Sequence, residues 1–401
     1  MICIVEVTKC ARFLLDWITT SPDVTDSRRV DLSDVPVVDG HGHPLFRDPW
    51  TVAPEAFTGL FSEGRSGTMT AHIPHTGYFQ RACHDLARRL GTEATVDTVL
   101  ERRRAVGPEG ARRLLADSGV AALLIDTGYP AEAMPLVEMR RTLPCAVHEV
   151  FRIETCAQEL LSDALSFEKF LDAFRAALGD AAARCVGFKS IIAYRSGLAV
   201  EEPDPAEAAR AYERVVARVQ AGGSRRLTEK PLLDMLFGIT LEIARETDRP
   251  LQVHCGFGDP DIDLVQANPL LLRPMLEDSR WARASVVLLH LAYPYFREAA
   301  FMTAVWPEVH LDLSLAIPFL GPGAVGPLVE VLSLAPASKL LYGSDVSGLP
   351  ELFALSADWG RAALGDALGW LVERDGMTES AAREAGRRIL SENATALYRL
   401  K

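Results

Sequence analysis

The sequence has no CxxC pair, no secretory leader pattern and too few basic residues to balance its acids. Lysine and arginine number 42 against 54 aspartate and glutamate, so the formal charge is −12. Nucleic acid and anionic membrane both require a basic surface, so neither is an expected partner. The seven cysteines are scattered and odd in number, which fits free thiols in a reducing, cytoplasmic setting better than a disulfide framework. The first twenty residues are broken by Glu6, Lys9, Arg12 and Asp16, which argues against a signal peptide. A transmembrane helix needs about 18 uncharged apolar residues in a row, and none is expected here. Hydrophobic residues at 48% and charged residues at 24% exclude a disordered or fibrous chain.

What is present is a series of short apolar runs separated by longer helical segments. The runs fall at 35–38, 120–125, 145–153, 186–192, 251–254, 285–290, 309–313 and 339–342. Several are apolar throughout, as strands covered on both faces must be. Helical patterns at 206–220, 232–245, 269–277 and 295–305 supply the crossovers that parallel strands require. Eight strands with such crossovers predict an α/β chain folded as one (β/α)8 TIM barrel, an architecture that commonly takes about 250 residues or more. The whole of 1–401 is read as one domain. Residues 1–34 are an N-terminal arm of a helix plus extended chain. Residues 45–119 are a long helical insertion after strand one, on the face where loops follow strands, and thus either a lid or a packing decoration. The tail from Met377 reads as helical to Leu400.

Polar residues end several of these strands. Strand one ends in Asp39-Gly-His41-Gly-His43, and residues i and i+2 of an extended chain point the same way. Two imidazoles could therefore reach one ion, although HxH alone is a weak motif. Strand five ends in His254, strand six in His290, and strand eight in Gly343-Ser-Asp345. All stand at the end where barrels carry their chemistry. Imidazole and carboxylate without thiolate suit a divalent metal: zinc first, manganese or iron otherwise, as one or two ions.

This ordered set resembles the amidohydrolase superfamily, and more narrowly the amidohydrolase-related family. Within it the chain is similar to the hydrolase domain fused to a glutamine-synthetase-like half in some fungal and plant proteins, and to γ-glutamyl-amide hydrolases. The stretches carrying the closer likeness are Val186-Gly-Phe-Lys-Ser-Ile-Ile-Ala-Tyr-Arg-Ser-Gly-Leu198, His254-Cys-Gly-Phe-Gly-Asp259 with Asp261 and Asp263, and Leu289-His-Leu-Ala-Tyr-Pro294. The likeness covers about residues 35–400, and no synthetase-like half is expected within the chain. It implies that His41, His43 and His254 hold the metal and that Asp345 binds it loosely as general base. It gives His290 either a second ion or the scissile carbonyl. Lys189, on strand four, is implied as a carboxylated bridge between two ions, or pairs with a buried carboxylate or a substrate anion. Glu154, ending strand three, is a rival bridge, or pairs with Arg152 or Arg195. Arg195 beside Tyr194 grips a substrate carboxylate or pairs with Asp259 or Asp263. His72 of the insertion is a third candidate substrate contact. His310 and Asp312 share one face of strand seven and either support the site or fill the core.

The expected function is hydrolysis of an amide in a small carboxylate-bearing substrate. Alternatives are oxazole-type ring closure with loss of water in secondary metabolism, non-oxidative decarboxylation of an aromatic acid, and an inactive barrel used as a binding module. A homodimer is the commonest soluble assembly and is the default expectation.

Overall fold

The computed structural model describes residues 29–64, 67–130, 132–161 and 165–401. Most of the expected N-terminal arm, residues 1–28, lies outside them. Eight parallel strands form one sheet in sequence order: β1 Val37–Gly42, β2 Val120–Asp126, β3 Ala146–Arg152, β4 Gly187–Ser190, β5 Leu251–Val253, β6 Val286–Leu288, β7 Val309–Asp312 and β8 Leu340–Leu341. Hydrogen bonds from Gly40 N to Tyr342 O (2.9 Å), Asp345 N to His41 O (2.8 Å) and His43 N to Val346 O (2.8 Å) join β8 back to β1. The chain is a (β/α)8 barrel.

β2 and β6 are the most apolar of the strands, as strands covered on both faces tend to be. Val38, Leu124, Val150, Val287 and Leu341 meet in one buried cluster inside the barrel. Their neighbours Val37, Leu123, Phe188, Leu251, Val286, Leu311 and Leu340 belong to the larger core beneath the surrounding helices. Tyr398 plugs the interior cluster from the C-terminal tail. Its hydroxyl accepts from Gln252 Nε2 (2.8 Å), which also donates to Gly40 O (2.8 Å) on β1.

Crossover helices occupy Pro205–Gln220, Lys230–Thr247 and Phe296–Val305. The expected helix at 269–277 is a 3-10 turn, Pro269–Leu272, followed by one short helix, Arg273–Leu276. The tail is two α-helices, Glu379–Arg387 and Asn393–Leu397, around a π-helical turn. Between β1 and β2 lie the helices Pro54–Gly59, Gly77–Leu90 and Val96–Asp117, the last kinked at Gly107 (φ 58) before Pro108. Arg103 in that helix makes a fully buried bidentate pair with Glu351 and donates to Pro49 O, which ties the segment to the helix Pro350–Arg374.

One run, Ala316–Leu334, is long and apolar enough to cross a membrane by length and composition alone, although Glu330 interrupts it. It is broken at Gly321 (φ 57) into two short helices and a 3-10 turn, and Ala316, Ile317, Leu328 and Val331 are buried in the barrel's own core. The five described cysteines are free thiols.

Candidate metal centre and active-site cavity

The strands stop at nearly one level, and the residues just past their ends face a cavity of about 720 Å³. His41 is the penultimate residue of β1 and His43 follows the strand. Asp345 follows β8 with φ 61, a left-handed conformation a non-glycine residue adopts only under constraint. The constraint is the Asp345 N to His41 O hydrogen bond that closes the barrel. It brings Asp345 Oδ1 to 3.1 Å from His41 Nε2 and 3.2 Å from His43 Nε2. Among the described residues, His41, His43 and Asp345 form the group whose ligand atoms all lie within 4.8 Å of one another.

This group fits a divalent cation. Metal–ligand bonds of about 2.0–2.1 Å in tetrahedral array place neighbouring ligand atoms about 3.3 Å apart. Asp345 Oδ1 is buried and, despite its nearness to two imidazoles, has hydrogen-bond geometry to neither. An orphaned buried carboxylate oxygen is costly unless a cation completes it. Burial alone would raise the Asp345 pKa, but His290, His41 and His43 hold it well below the usual carboxylate range. Burial and the nearby Lys189 lower His41 to about 4, so its ring is neutral and can act as a ligand at pH 7.

His254 and His290 stand beside this group in a hydrogen-bonded chain. Ser314 Oγ donates to Asp312 Oδ1, so it accepts from His290 Nδ1 (2.9 Å). His290 Nε2 then carries the lone pair and accepts from His254 Nδ1 (2.9 Å). Both rings are neutral, because burial lowers their pKa well below the ordinary value. The chain leaves His254 Nε2 as an electron-pair donor, buried and without a protein partner. His290 itself has φ 66 and opens a run of three positive-φ residues through Ala292. Its backbone N–H donates to Asp312 (3.4 Å), and the N–H groups of His41 (3.3 Å) and Ser344 (2.9 Å) donate to Asp39. Burial raises these two supporting carboxyls, Asp312 to about 6 and Asp39 to about 7. Ser314→Ala would free His290 to take either tautomer. The expected result is a 10–100-fold loss of metal affinity with little change in thermal stability, read by metal titration and thermal unfolding.

Lys189 is the third of four β4 residues, and its Nζ lies 3.2 Å from His41 Nε2. It reaches the centre of the site rather than its wall. Burial lowers its pKa to about 8 against the opposing pull of Asp126 and Asp345. Glu154 differs from expectation. β3 turns directly into the helix Ile153–Leu160, so Glu154 sits in a first helical turn rather than at a strand end. Its Oε1 accepts from Ser190 Oγ (2.6 Å) and Ile191 N (2.9 Å), and burial raises its pKa. It pairs with neither Arg152 nor Arg195, and it lies outside the three-residue group above. Arg152 instead holds Asp126, the last residue of β2, through Nη2–Oδ2 at 2.5 Å and Nε–Oδ2 at 3.0 Å. Asp126 O in turn lies 3.3 Å from His43 Nδ1.

Tyr194 and Arg195 line the cavity beyond β4. The Tyr194 ring lies 4.4 Å from that of His254, and its hydroxyl accepts from Asp259 N (3.3 Å). Arg195 Nε is buried and unpartnered, and burial and the neighbouring Arg226 lower its pKa. Asp261 pairs with Arg226 (2.8 Å). His72 is exposed and does not reach the cavity; Ile73 and Tyr78 of the same segment do. His310 is turned to Glu308 O (3.2 Å) and is absent from the lining. Sequence reasoning passed over Asp126, Ser314, Arg226 and Phe319. Only Asp126 carried a signal, as a carboxylate ending an apolar strand.

With this geometry in place, the comparisons are specific. The family model described as Amidohydrolase matches residues 180–400, over half of the chain. Protein fluG of Emericella nidulans is 30% identical over 400 residues, covering 91% of this chain and 46% of that protein, so the chain spans about half its length. A protein from Lactobacillus casei described as a metal-dependent hydrolase superposes with a TM-score of 0.82 at 28% identity, covering 93% of this chain and 98% of that one. Uronate isomerase from Thermotoga maritima shares the fold at a TM-score of 0.66 and 16% identity, over 91% of this chain and 95% of its own. The chain belongs to the amidohydrolase family and is an enzyme of hydrolase type.

Proposed function

We propose that the protein hydrolyses an amide bond in a small carboxylate-bearing molecule with the help of a divalent metal. The observation that carries this is the meeting, in one cavity, of the His41–His43–Asp345 group with a buried, unpartnered Arg195 nitrogen. His41, His43 and Asp345 would hold the ion, with His254 Nε2 as a further donor and Lys189 as the strand-four side chain able to enter the group. Zinc suits the mixed imidazole–carboxylate set, with manganese or iron as alternatives. When bound, such an ion supplies a water acidic enough to ionise near pH 7 and polarises the carbonyl.

The remaining steps belong to the chain. Asp345, held ionised by its imidazole neighbours, takes a proton from the attacking water and returns it to the leaving nitrogen. His290 Nδ1 lies 3.7 Å from the same carboxylate. Arg195, with Tyr194 beside it, grips the substrate carboxylate and fixes the carbonyl over the reacting centre. Side chains between Phe46 and Tyr78 form part of the substrate wall, and a small molecule is the only partner the reading requires.

The test is product mass after incubation of the metal-loaded enzyme with amides, hydroxy-amides and aromatic acids. Gain of water on an amide is the expected result. Loss of water would indicate ring closure and loss of carbon dioxide decarboxylation; either would displace the proposal. No turnover of any class would point to a binding module.

A further inference from the structure

The hydrogen-bond chain through Ser314 removes His290 as a donor to the scissile carbonyl. His290 gives its Nδ1 proton to Ser314 Oγ and its Nε2 lone pair to His254. It keeps neither a proton for a carbonyl oxygen nor a lone pair for an ion. His254 gives its own proton to His290 and is left with a lone pair at Nε2. Lys189 lies within the metal group, 3.2 Å from His41 Nε2. A carbonyl oxygen that takes up charge during attack needs a donor placed in advance, and neither imidazole supplies one.

The Tyr194 hydroxyl can. Tyr194 lines the same cavity, on the 3-10 turn Ile192–Tyr194 just past β4. Glu154 Oε1 holds the start of this turn by accepting from Ile191 N (2.9 Å), and Arg226 Nη2 holds its end by donating to Tyr194 O (3.2 Å). The ring packs 4.4 Å from that of His254. Gly258 leaves room for the hydroxyl: a Cβ there would collide with it and would lie 3.0 Å from His254 Nε2. The hydroxyl and the unpartnered His254 nitrogen therefore flank one point. Asp259 N donates to the phenol oxygen (3.3 Å), and among the described residues the phenol's own proton has no acceptor. A hydroxyl whose oxygen already accepts a hydrogen bond is a stronger donor. Burial first, then Asp259, raises the Tyr194 pKa well above its ordinary value, so the proton stays in place at neutral pH.

We infer that Tyr194 is a catalytic residue whose hydroxyl donates a hydrogen bond to the oxygen of the scissile carbonyl as that oxygen becomes anionic. The inference rests on the amide-hydrolase reading above and adds a residue to it. As the water oxygen bonds to the carbonyl carbon, one water proton passes to Asp345 and the C=O π pair moves onto the carbonyl oxygen. Tyr194 stabilises that charge and keeps its own proton. The pair then returns, the C–N bond breaks, and the nitrogen leaves with the proton from Asp345. The second water proton stays on the new acid.

The test is Tyr194→Phe, compared with the metal-loaded wild type in kcat, KM, metal content and thermal unfolding on the amide turned over fastest in the product-mass experiment. A separate readout is calorimetric binding of the phosphonamidate that matches this amide, whose tetrahedral phosphorus carries an anionic oxygen where the carbonyl oxygen stands in the transition state. The expected result is a kcat lower by about 10²–10³-fold, little change in KM, metal content or unfolding, and a phosphonamidate bound more weakly by a comparable factor. Unchanged kcat and phosphonamidate affinity would overturn the inference alone. A loss confined to KM would overturn it as well, because it marks a grip on the bound substrate rather than on the reacting oxygen. So would a fall in metal content that matches the fall in kcat, which assigns the hydroxyl to the metal site. A wild-type enzyme that hydrolyses no amide would instead sink the amide-hydrolase reading, and this step with it.

Discussion

Asp345→Asn lowers turnover by about 10³-fold while leaving the fold intact, within the 10²–10⁴-fold range of a lost general base. Asparagine keeps the shape and one oxygen of the side chain but cannot accept the water's proton. It also tolerates left-handed backbone, which matters because Asp345 has φ 61. The hydrogen bond from residue 345 N to His41 O, one of those closing the barrel, therefore survives. Alanine would lose the ligand and strain the backbone together, so its effect could not be assigned. The measurement is kcat beside metal content and thermal unfolding for the same preparation. A variant that retains full activity would remove Asp345 from the reaction.

Arg152→Met costs about 3–5 kcal/mol of stability, because it strands Asp126 without its guanidinium. Both partners are removed from solvent, with side-chain exposures of 11% and 0%. Burial would raise the Asp126 pKa, yet Arg152 first, then His43 and Lys189, hold it below the ordinary carboxylate range. A depressed folded pKa means that the carboxylate stabilises the fold above its unfolded pKa of about 3.9, and that this contribution fades as pH falls through the folded value. Without Arg152, burial dominates and the sign reverses: the variant gains relative stability as pH falls and Asp126 takes a proton. Urea unfolding at pH 7 and pH 4 should show the gap between the two proteins narrowing at the lower pH. Asp126→Asn with Arg152→Met should recover most of the loss at pH 7, since neither charge then stands alone. A gap that stays constant with pH would contradict the pairing.

The barrel and the candidate metal group were legible in the sequence for one physical reason. Strands buried on both faces are apolar throughout, so a polar residue at their C-terminal end stands out. That contrast marked His41, His43, His254, His290 and Asp345 before any coordinates. The same contrast was available for Asp126 and was not followed, because its partner Arg152 is on the next strand and pairing across strands leaves no linear pattern. Glu154 opens a helix rather than ending a strand because β3 enters that helix with no loop, so strand parity stops one residue earlier than expected. His72 was misplaced because it lies between two 3-10 turns, where no strand or helix period tells which residue faces inward; Ile73 does. Ser314 sits in an irregular stretch with Leu315 at φ 55, and its role depends on a hydrogen-bond direction that only the assembled Asp312–Ser314–His290–His254 chain defines.

The central claim is that the strand-end histidines and Asp345 hold a divalent metal. The most direct measurement is elemental analysis of the purified protein together with a crystallographic anomalous map recorded above and below the metal's absorption edge. The account predicts a peak among His41 Nε2, His43 Nε2 and Asp345 Oδ1, within about 2.0–2.3 Å of each, that disappears below the edge. A map without a peak there, from protein prepared with excess zinc and manganese, would contradict it.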